Sequence, residues 1–132
     1  DRIGPGLVLW QPNGAIIRHA IEQFEQELLQ RHDYQLVYSP HVVNEELFSI
    51  SGHLHHYSDD MFPPMAFDDG AYRVKPMNCP GHCCIYQAQH RSWRDLPLRF
   101  AEFGAVYRYE QRSALHGMMR VRGFVQDDAH LF

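Results

Sequence analysis

The stretch MRVRGFVQDDAHLF, Met119 to Phe132, changes character at every step. Its even positions are Arg120, Arg122, Phe124, Gln126, Asp128 and His130. Its odd positions, Met119, Val121, Gly123, Val125, Ala129 and Leu131, are small or apolar apart from Asp127. Period two is the signature of a β-strand, whose side chains point alternately to opposite faces. The spacing therefore predicts a strand from Met119 onward, with the odd face packed on a core and the even face carrying chemistry. Upstream, Leu98–Phe103 and Ala105–Glu110 alternate again, with Val106, Arg108 and Glu110 at even positions. The polar loop Gln111–Gly117 then predicts an antiparallel hairpin that sets the two polar rows side by side.

Toward the N-terminus, Ile17, Ile21, Phe24 and Leu28 recur at steps of 4, 3 and 4, predicting a helix over Asn13–Arg31 with one apolar face. Asn13 is its expected N-cap, and Glu27 and Arg31 form a stabilising i, i+4 pair. Tyr34–Tyr38 reads as a short strand stopped at Pro40, which lacks a ladder donor. Asn44–Ile50 reads as a short helix ended near Gly52. Residues 53–71 hold His53, His55, His56, several Asp and Pro63-Pro64, and read as irregular loop. Tyr72–Lys75 alternates as a strand. Cys79-Pro80 opens a helix to about Ser92, with Pro80 expected at the first helical position.

The 132 residues fit one domain. With 45% hydrophobic and 21% charged residues the composition is that of a globular protein, excluding disorder, collagen-like repeats and coiled coil. No apolar run reaches the ~18 residues of a membrane span, and no leader pattern opens the chain. A net charge of −4 supplies no global field for nucleic acid, so anion binding must be local. The arginines gather late, at Arg99, Arg108, Arg112, Arg120 and Arg122. Three cysteines, two of them adjacent, fit free or metal-bound thiols in a reducing, cytoplasmic setting better than a disulfide frame. The chain starts without Met and stops inside an alternating run, which reads as a segment of a longer protein.

The plainer reading of the even row is a solvated strand face with ion pairs of about 0.2–1 kcal/mol each. That reading does not require three arginines, a flat aromatic, an amide, a carboxylate and an imidazole on one face. A nucleoside triphosphate beside a second polar substrate does, since guanidinium forks hold phosphate oxygens and Phe stacks a base. Fixed cations on a rigid sheet suit phosphoryl and adenylyl chemistry, where positioning and charge neutralisation dominate.

Tyr107-Arg108-Tyr109-Glu110, the loop, and Arg122-Gly123-Phe124-Val125-Gln126-Asp127-Asp128 resemble motif 2 of class II aminoacyl-tRNA synthetases. The helix, strand and Pro40 resemble motif 1. Within that class, Lys75-Pro76-Met77-Asn78-Cys79-Pro80-Gly81-His82, Ser113-Ala114-Leu115-His116-Gly117 and Gln126–His130 resemble the threonyl-tRNA synthetases over essentially the whole chain. The resemblance implies an α/β catalytic core of antiparallel sheet with flanking helices, not a parallel nucleotide-binding fold. It also implies that residues 1–132 hold motifs 1 and 2, while motif 3, the editing domain and the anticodon-binding domain lie outside.

The implied reaction is ATP-dependent activation of L-threonine to threonyl-adenylate and transfer to tRNA, with Mg2+ accompanying ATP and a motif 1 homodimer. By the same resemblance Arg108 holds the α-phosphate, Glu110 accepts from the adenine amino group, Phe124 stacks on adenine and Arg120 reaches the outer phosphates. Met77, Gln126 and Asp128 lie near the amino acid, Asp128 accepting from its hydroxyl. Cys79 and His130 bind Zn2+ with a third histidine outside the chain, an open coordination that takes threonine directly and rejects valine. His53 activates the terminal tRNA ribose hydroxyl, and His116 meets the tRNA acceptor end. Read alone, Cys79 is more often a packed small hydrophobe than a ligand, and His130 on a strand more often a hydrogen-bonded residue. His55 and His56 read as a surface cluster, and Cys83 and Cys84 as core. The rivals are a prolyl- or seryl-type synthetase and a non-catalytic synthetase-like binding module.

Overall fold

Pro12 sets the start of the longest element. In the computed structural model, which describes residues 2–132, helix α1 runs Pro12–Arg31. Proline's fixed φ and missing N–H suit the first helical turn, so Gln11, in extended backbone, is the cap residue in place of Asn13. Glu27 and Arg31 pair as predicted, at 3.4 Å. The apolar row does share a side of the helix, but no residue of α1 is buried, and Phe24 is 62% exposed.

Asp33, in the left-handed region at φ 61°, turns the chain into β1, which is only Gln35–Leu36 rather than Tyr34–Tyr38. It pairs in parallel with β5 (Arg99–Tyr107), which pairs antiparallel with β6 (Gly123–Leu131). A second sheet has β4 (Gly70–Val74) between β2 (Val42–Asn44) and β3 (Met65–Phe67), all antiparallel. The α/β class stands, with two corrections: there are two small sheets, and one strand pair is parallel.

Asn44 caps α2 (Glu45–Ile50), its side-chain oxygen accepting from the Glu46 amide at 2.8 Å. Gly52, at φ 77°, separates it from α3 (His53–Tyr57), followed by a 3-10 turn at Ser58–Asp60. Residues 53–71 are thus not an irregular loop. Five residues are too few to display a helical period, and β3, exposed throughout, owes its pairing to backbone bonds rather than alternation. Helix α4 runs Cys79–Gln87, so Pro80 is its second residue, and it stops short of Ser92, which instead caps a 3-10 turn at Trp93–Asp95.

The two upstream runs merge into one strand, β5, whose nine residues pair with β6 from Arg99↔Leu131 to Tyr107↔Gly123. The last strand starts at Gly123, not Met119. The Arg122 and Gly123 amides donate to Gly6 O (2.7 and 3.2 Å), and Arg122 O accepts from the Arg108 amide (2.8 Å). Arg108, Glu110, Arg120 and Arg122 therefore lie on the segments that leave the hairpin end. The expected burial is also reversed at the far end of β6: Asp127, Ala129 and Leu131 are exposed, while the even residues are half-buried. The buried apolar core is small: Phe48, Met61, Phe100, Ala101, Val106 and Val121. Lys75 joins the sheets, its amide donating to His41 O and its carbonyl accepting from Tyr107 N, both at 2.9 Å. No helix among the described residues is long and apolar enough to cross a membrane.

Candidate functional site

The ladder register puts Val106, Gly104, Glu102 and Phe100 opposite Phe124, Gln126, Asp128 and His130. The start of α4 lies over this even face. Asn78, fully buried, donates from Nδ2 to Asp128 Oδ2 at 3.0 Å. Its Oδ1 is buried with no hydrogen-bond partner among the described residues. Gly104 makes the approach possible: a Cβ there would stand 2.5 Å from the Asn78 amide carbon and nearer still to its nitrogen and oxygen.

Beside Asn78, donor atoms of Cys79, Asp128 and His130 lie within 4.8 Å of one another, all half-buried. A thiol, a carboxylate and an imidazole form a mixed set that suits Zn2+, so the predicted Cys79 and His130 come together and Asp128 joins them. Burial, and then the Asp128 charge, push the Cys79 thiol above its ordinary value; a bound metal would remove that proton outright. Behind this group His130 Nδ1 lies 2.9 Å from His82 Nδ1, and His82 Nε2 lies 3.0 Å from Glu102 Oε2. Glu102 also accepts from Lys75 Nζ at 3.0 Å, and from the Ser39 amide and hydroxyl at 3.1 and 2.8 Å. Burial works to raise the Glu102 carboxyl, but the bonds from Ser39, His82 and Lys75 prevail and hold it below its ordinary value.

At the other end of the row, the Arg108 guanidinium lies over the Phe124 ring, 5.1 Å from its centroid, leaving the opposite ring face as the one a base could take. Glu110 and Arg120 pair with each other, Oε2 to Nε at 3.0 Å and to Nη2 at 2.9 Å. Their predicted separate contacts, to adenine and to phosphate, require Arg120, the more exposed partner, to release the carboxylate. Arg122 is a structural tie, donating from Nε to Glu110 O at 2.8 Å. A cleft of about 730 Å³ runs from Arg108, Glu110 and Phe124 round to Ile17 and Ile21 on α1 and Phe103, Ala105 and Val125 on the hairpin's odd face.

Some predicted residues lie elsewhere. Met77 lines a separate apolar cavity of about 230 Å³ with Tyr38, Val43, Leu47, Phe48 and Ile85. His53 opens α3, with Nδ1 2.8 Å from Ser51 Oγ and its ring against Phe48 and Tyr57; partial burial pushes its imidazole down, a Ser51 backbone bond opposing. Gln126 faces Gly104, as the even row requires. His116 is exposed and bridges to Arg120. Cys83 and Cys84 are exposed rather than core, because α4 packs through Pro80 and His82. The buried Lys75, Asn78, His82 and Glu102 received no role from sequence. The one signal was Glu102, a charge on the face of β5 it shares with Phe100, Gly104 and Val106.

A family model described as tRNA synthetase class II core domain (G, H, P, S and T) matches residues 65–132. The chain is 56% identical to a threonine–tRNA ligase of Acidobacterium capsulatum over 98% of its own length and 19% of that protein's. It superposes with TM-score 0.93 and 37% identity on a structure described as the RNA binding domain of threonyl-tRNA synthetase from Cryptosporidium parvum, covering 98% of this chain and 32% of that one. A prolyl-tRNA synthetase of Giardia lamblia in complex with prolyl-adenylate matches at TM-score 0.83 and 20% identity over 97% and 27%, a likeness of fold alone. The chain thus spans about a fifth of the length of the curated relatives it matches.

Proposed function

Because the chain belongs to the class II core-domain family of tRNA synthetases, we propose that it is the motif 1 and motif 2 part of a threonine–tRNA ligase. The parent would join L-threonine to tRNA through threonyl-adenylate, in the cytoplasm. The observation that carries the choice of amino acid is the convergence of Cys79, Asp128 and His130 within 4.8 Å on the face that also bears Arg108 and Phe124.

Arg108, just past the end of β5 and held over the Phe124 ring, neutralises the α-phosphate as the threonine carboxylate oxygen bonds to phosphorus and the bond to pyrophosphate breaks. Phe124 stacks on adenine with the ring face that Arg108 does not cover. Glu110 accepts from the adenine amino group, and Arg120, released from it, follows the outer phosphates with Mg2+. Asp128, held by Asn78, accepts from the threonine hydroxyl, with Gln126 beside it. Zn2+ held by Cys79 and His130 would supply a Lewis-acidic centre that takes amino and hydroxyl groups and has no use for the methyl of valine. In the transfer step His53, its imidazole biased to the neutral form, accepts the ribose hydroxyl proton. The uncovered apolar row of α1 supports a homodimer of the parent.

The test is ATP–pyrophosphate exchange by the parent enzyme with a panel of amino acids, alongside its zinc content. Exchange with threonine and one zinc per chain is expected, and Arg108→Ala should lower kcat by about 10²–10³. Exchange with proline or serine alone would replace the threonine reading by that rival. No exchange with any amino acid, with tRNA still bound, would favour the binding module.

A further inference from the structure

We propose that Asn78 is a positioning residue for Asp128: by holding Oδ2 it leaves Oδ1 as the single oxygen offered to a substrate hydroxyl, and so sets the discrimination against a methyl in that place. This rests on reading Asp128 as the acceptor of the threonine hydroxyl.

Asn78 stands where α4 begins, its carbonyl accepting from the His82 amide at 3.1 Å. Asparagine at such a place ordinarily turns its side-chain oxygen onto the amides of the first turn. Here its backbone is already helical, at φ −91° and ψ −19°, and no cap bond forms. The side chain is given to the sheet instead: Nδ2 donates to Asp128 Oδ2 at 3.0 Å, while Oδ1 is buried without a partner among the described residues. A carboxylate only accepts, so the amide nitrogen must be the atom that faces it. Three features are each unfavourable taken singly. They are the forgone cap, the orphaned carbonyl, and a glycine in mid-strand at position 104, without which the amide would have no room. The bond to Asp128 is what they have in common, and an unsatisfied buried group in a native fold calls for such an explanation.

Asn78 is 0% exposed and its amide lies against Gly104, so the donor cannot swing with its acceptor. Asp128 Oδ2 is tied to it. Oδ1 is turned toward His130, whose Nδ1 lies 3.9 Å away, beyond hydrogen-bond reach. Oδ1 is therefore a fixed acceptor in the group formed with Cys79 and His130. A substrate hydroxyl donates to it. A methyl of similar size leaves it desolvated and unpaired, and a site with a stranded polar group rejects an analogue far more strongly than a shape mismatch does. That penalty exists only while the carboxylate is held; one free to rotate would turn its oxygens to water and lose the distinction.

The bond is read in the 132-residue chain by NMR, as the coupling carried across it from Asn78 Nδ2 to the Asp128 carboxyl carbon. The selectivity is read in the parent enzyme, as kcat/KM for threonine over that for valine in ATP–pyrophosphate exchange. The proteins compared are the unmodified enzyme, Asn78→Ala, Asp128→Ala and the double variant. The coupling should be present, and Asn78→Ala should lower the threonine-to-valine ratio by about 10²-fold, as a misplacement of about 1 Å does. In the Asp128→Ala background the same change should lower it no further. Absence of the coupling overturns the proposal. So does an equal loss for both amino acids, which is what a merely structural role gives, and so does a further fall in the double variant, which would route Asn78 around Asp128. Should Asn78→Ala not fold, Asn78→Leu, which keeps the branched shape without the donor, takes its place in the cycle. A parent that activates no threonine, with the coupling present, would fault the threonine reading and leave the hold on Asp128 standing.

Discussion

Gly104→Ala is the smallest change that tests how the site is built. In an ordinary strand it would help, since glycine is about 0.5–1 kcal/mol worse than alanine. Here the Asn78 amide lies against the Gly104 Cα, and the new Cβ would stand 2.5 Å from its amide carbon, where ordinary contact begins at 3.4 Å. Asn78 is fully buried and stands at the residue preceding α4, its side chain making no cap bond, so a shift of about 1 Å must move the helix start or rotate the amide off Asp128. Overpacking of this kind costs about 1–3 kcal/mol. Loss of the part-buried hydrogen bond to the Asp128 carboxylate adds about 1.5–3 kcal/mol. Together these predict destabilisation of roughly 3–5 kcal/mol, or about 10–20 °C in Tm for a domain of this size. Urea and thermal unfolding followed by circular dichroism would measure it. Asn78→Ala in the same chain should relieve the clash, so the double-mutant cycle should show coupling well above ~0.5 kcal/mol. A Gly104→Ala chain as stable as the unmodified one, or additive effects in the cycle, would refute the reasoning.

The carboxyl of Glu102 is held below its ordinary value, so its stabilisation is complete above the unfolded value near 4.5 and is lost as pH falls through the folded one. Unfolding free energy should therefore fall below about pH 5 more steeply than in Glu102→Gln; that variant should itself lose about 3–5 kcal/mol at neutral pH by stranding Lys75, and equal slopes would contradict this. Ile21→Asp and Phe24→Glu, on the exposed side of α1, should change the stability of this chain by no more than about 0.5 kcal/mol while splitting the parent dimer in sedimentation; a parent that stays dimeric would assign the interface elsewhere. The 132 residues alone should support no threonine-dependent ATP–pyrophosphate exchange and bind zinc weakly, and robust exchange by them would overturn that.

Alternation in Met119–Phe132 and Ala105–Glu110 was enough to find the hairpin and the shared face of Phe124, Gln126, Asp128 and His130, but not the register, which pairs Gln126, Asp128 and His130 with Gly104, Glu102 and Phe100. Period two says which residues share a face, not which face is covered, and so the exposure of Ala129 and Leu131 was not legible. Nor was the start of β6, because the Arg122 amide bonds to Gly6, a partner more than a hundred residues away. Helix α1 was legible from its apolar spacing, and its lack of burial was not, since the same row serves a core or an interface. The polar network behind His130 escaped for a different reason. Its members, Ser39, Lys75, His82 and Glu102, come from four separate segments, and only the packing of α4 on β5 makes them neighbours. Glu110 and Arg120 were assigned ligand contacts by resemblance, with nothing in their spacing to reveal that they pair with each other.

Lys75 has an implication for how the molecule opens. Its amide and carbonyl bond to different sheets, while its ammonium group closes the Ser39–Glu102 cluster. Breaking any one of these contacts exposes the others to water, so the two sheets should loosen as a single cooperative unit. In native-state hydrogen exchange, the Lys75 and Tyr107 amides would then share one opening free energy and one denaturant dependence, despite lying 32 residues apart. A chemically minor replacement such as Lys75→Arg, whose planar fork cannot reproduce a compact ammonium group, would lower that shared barrier at every amide of the unit.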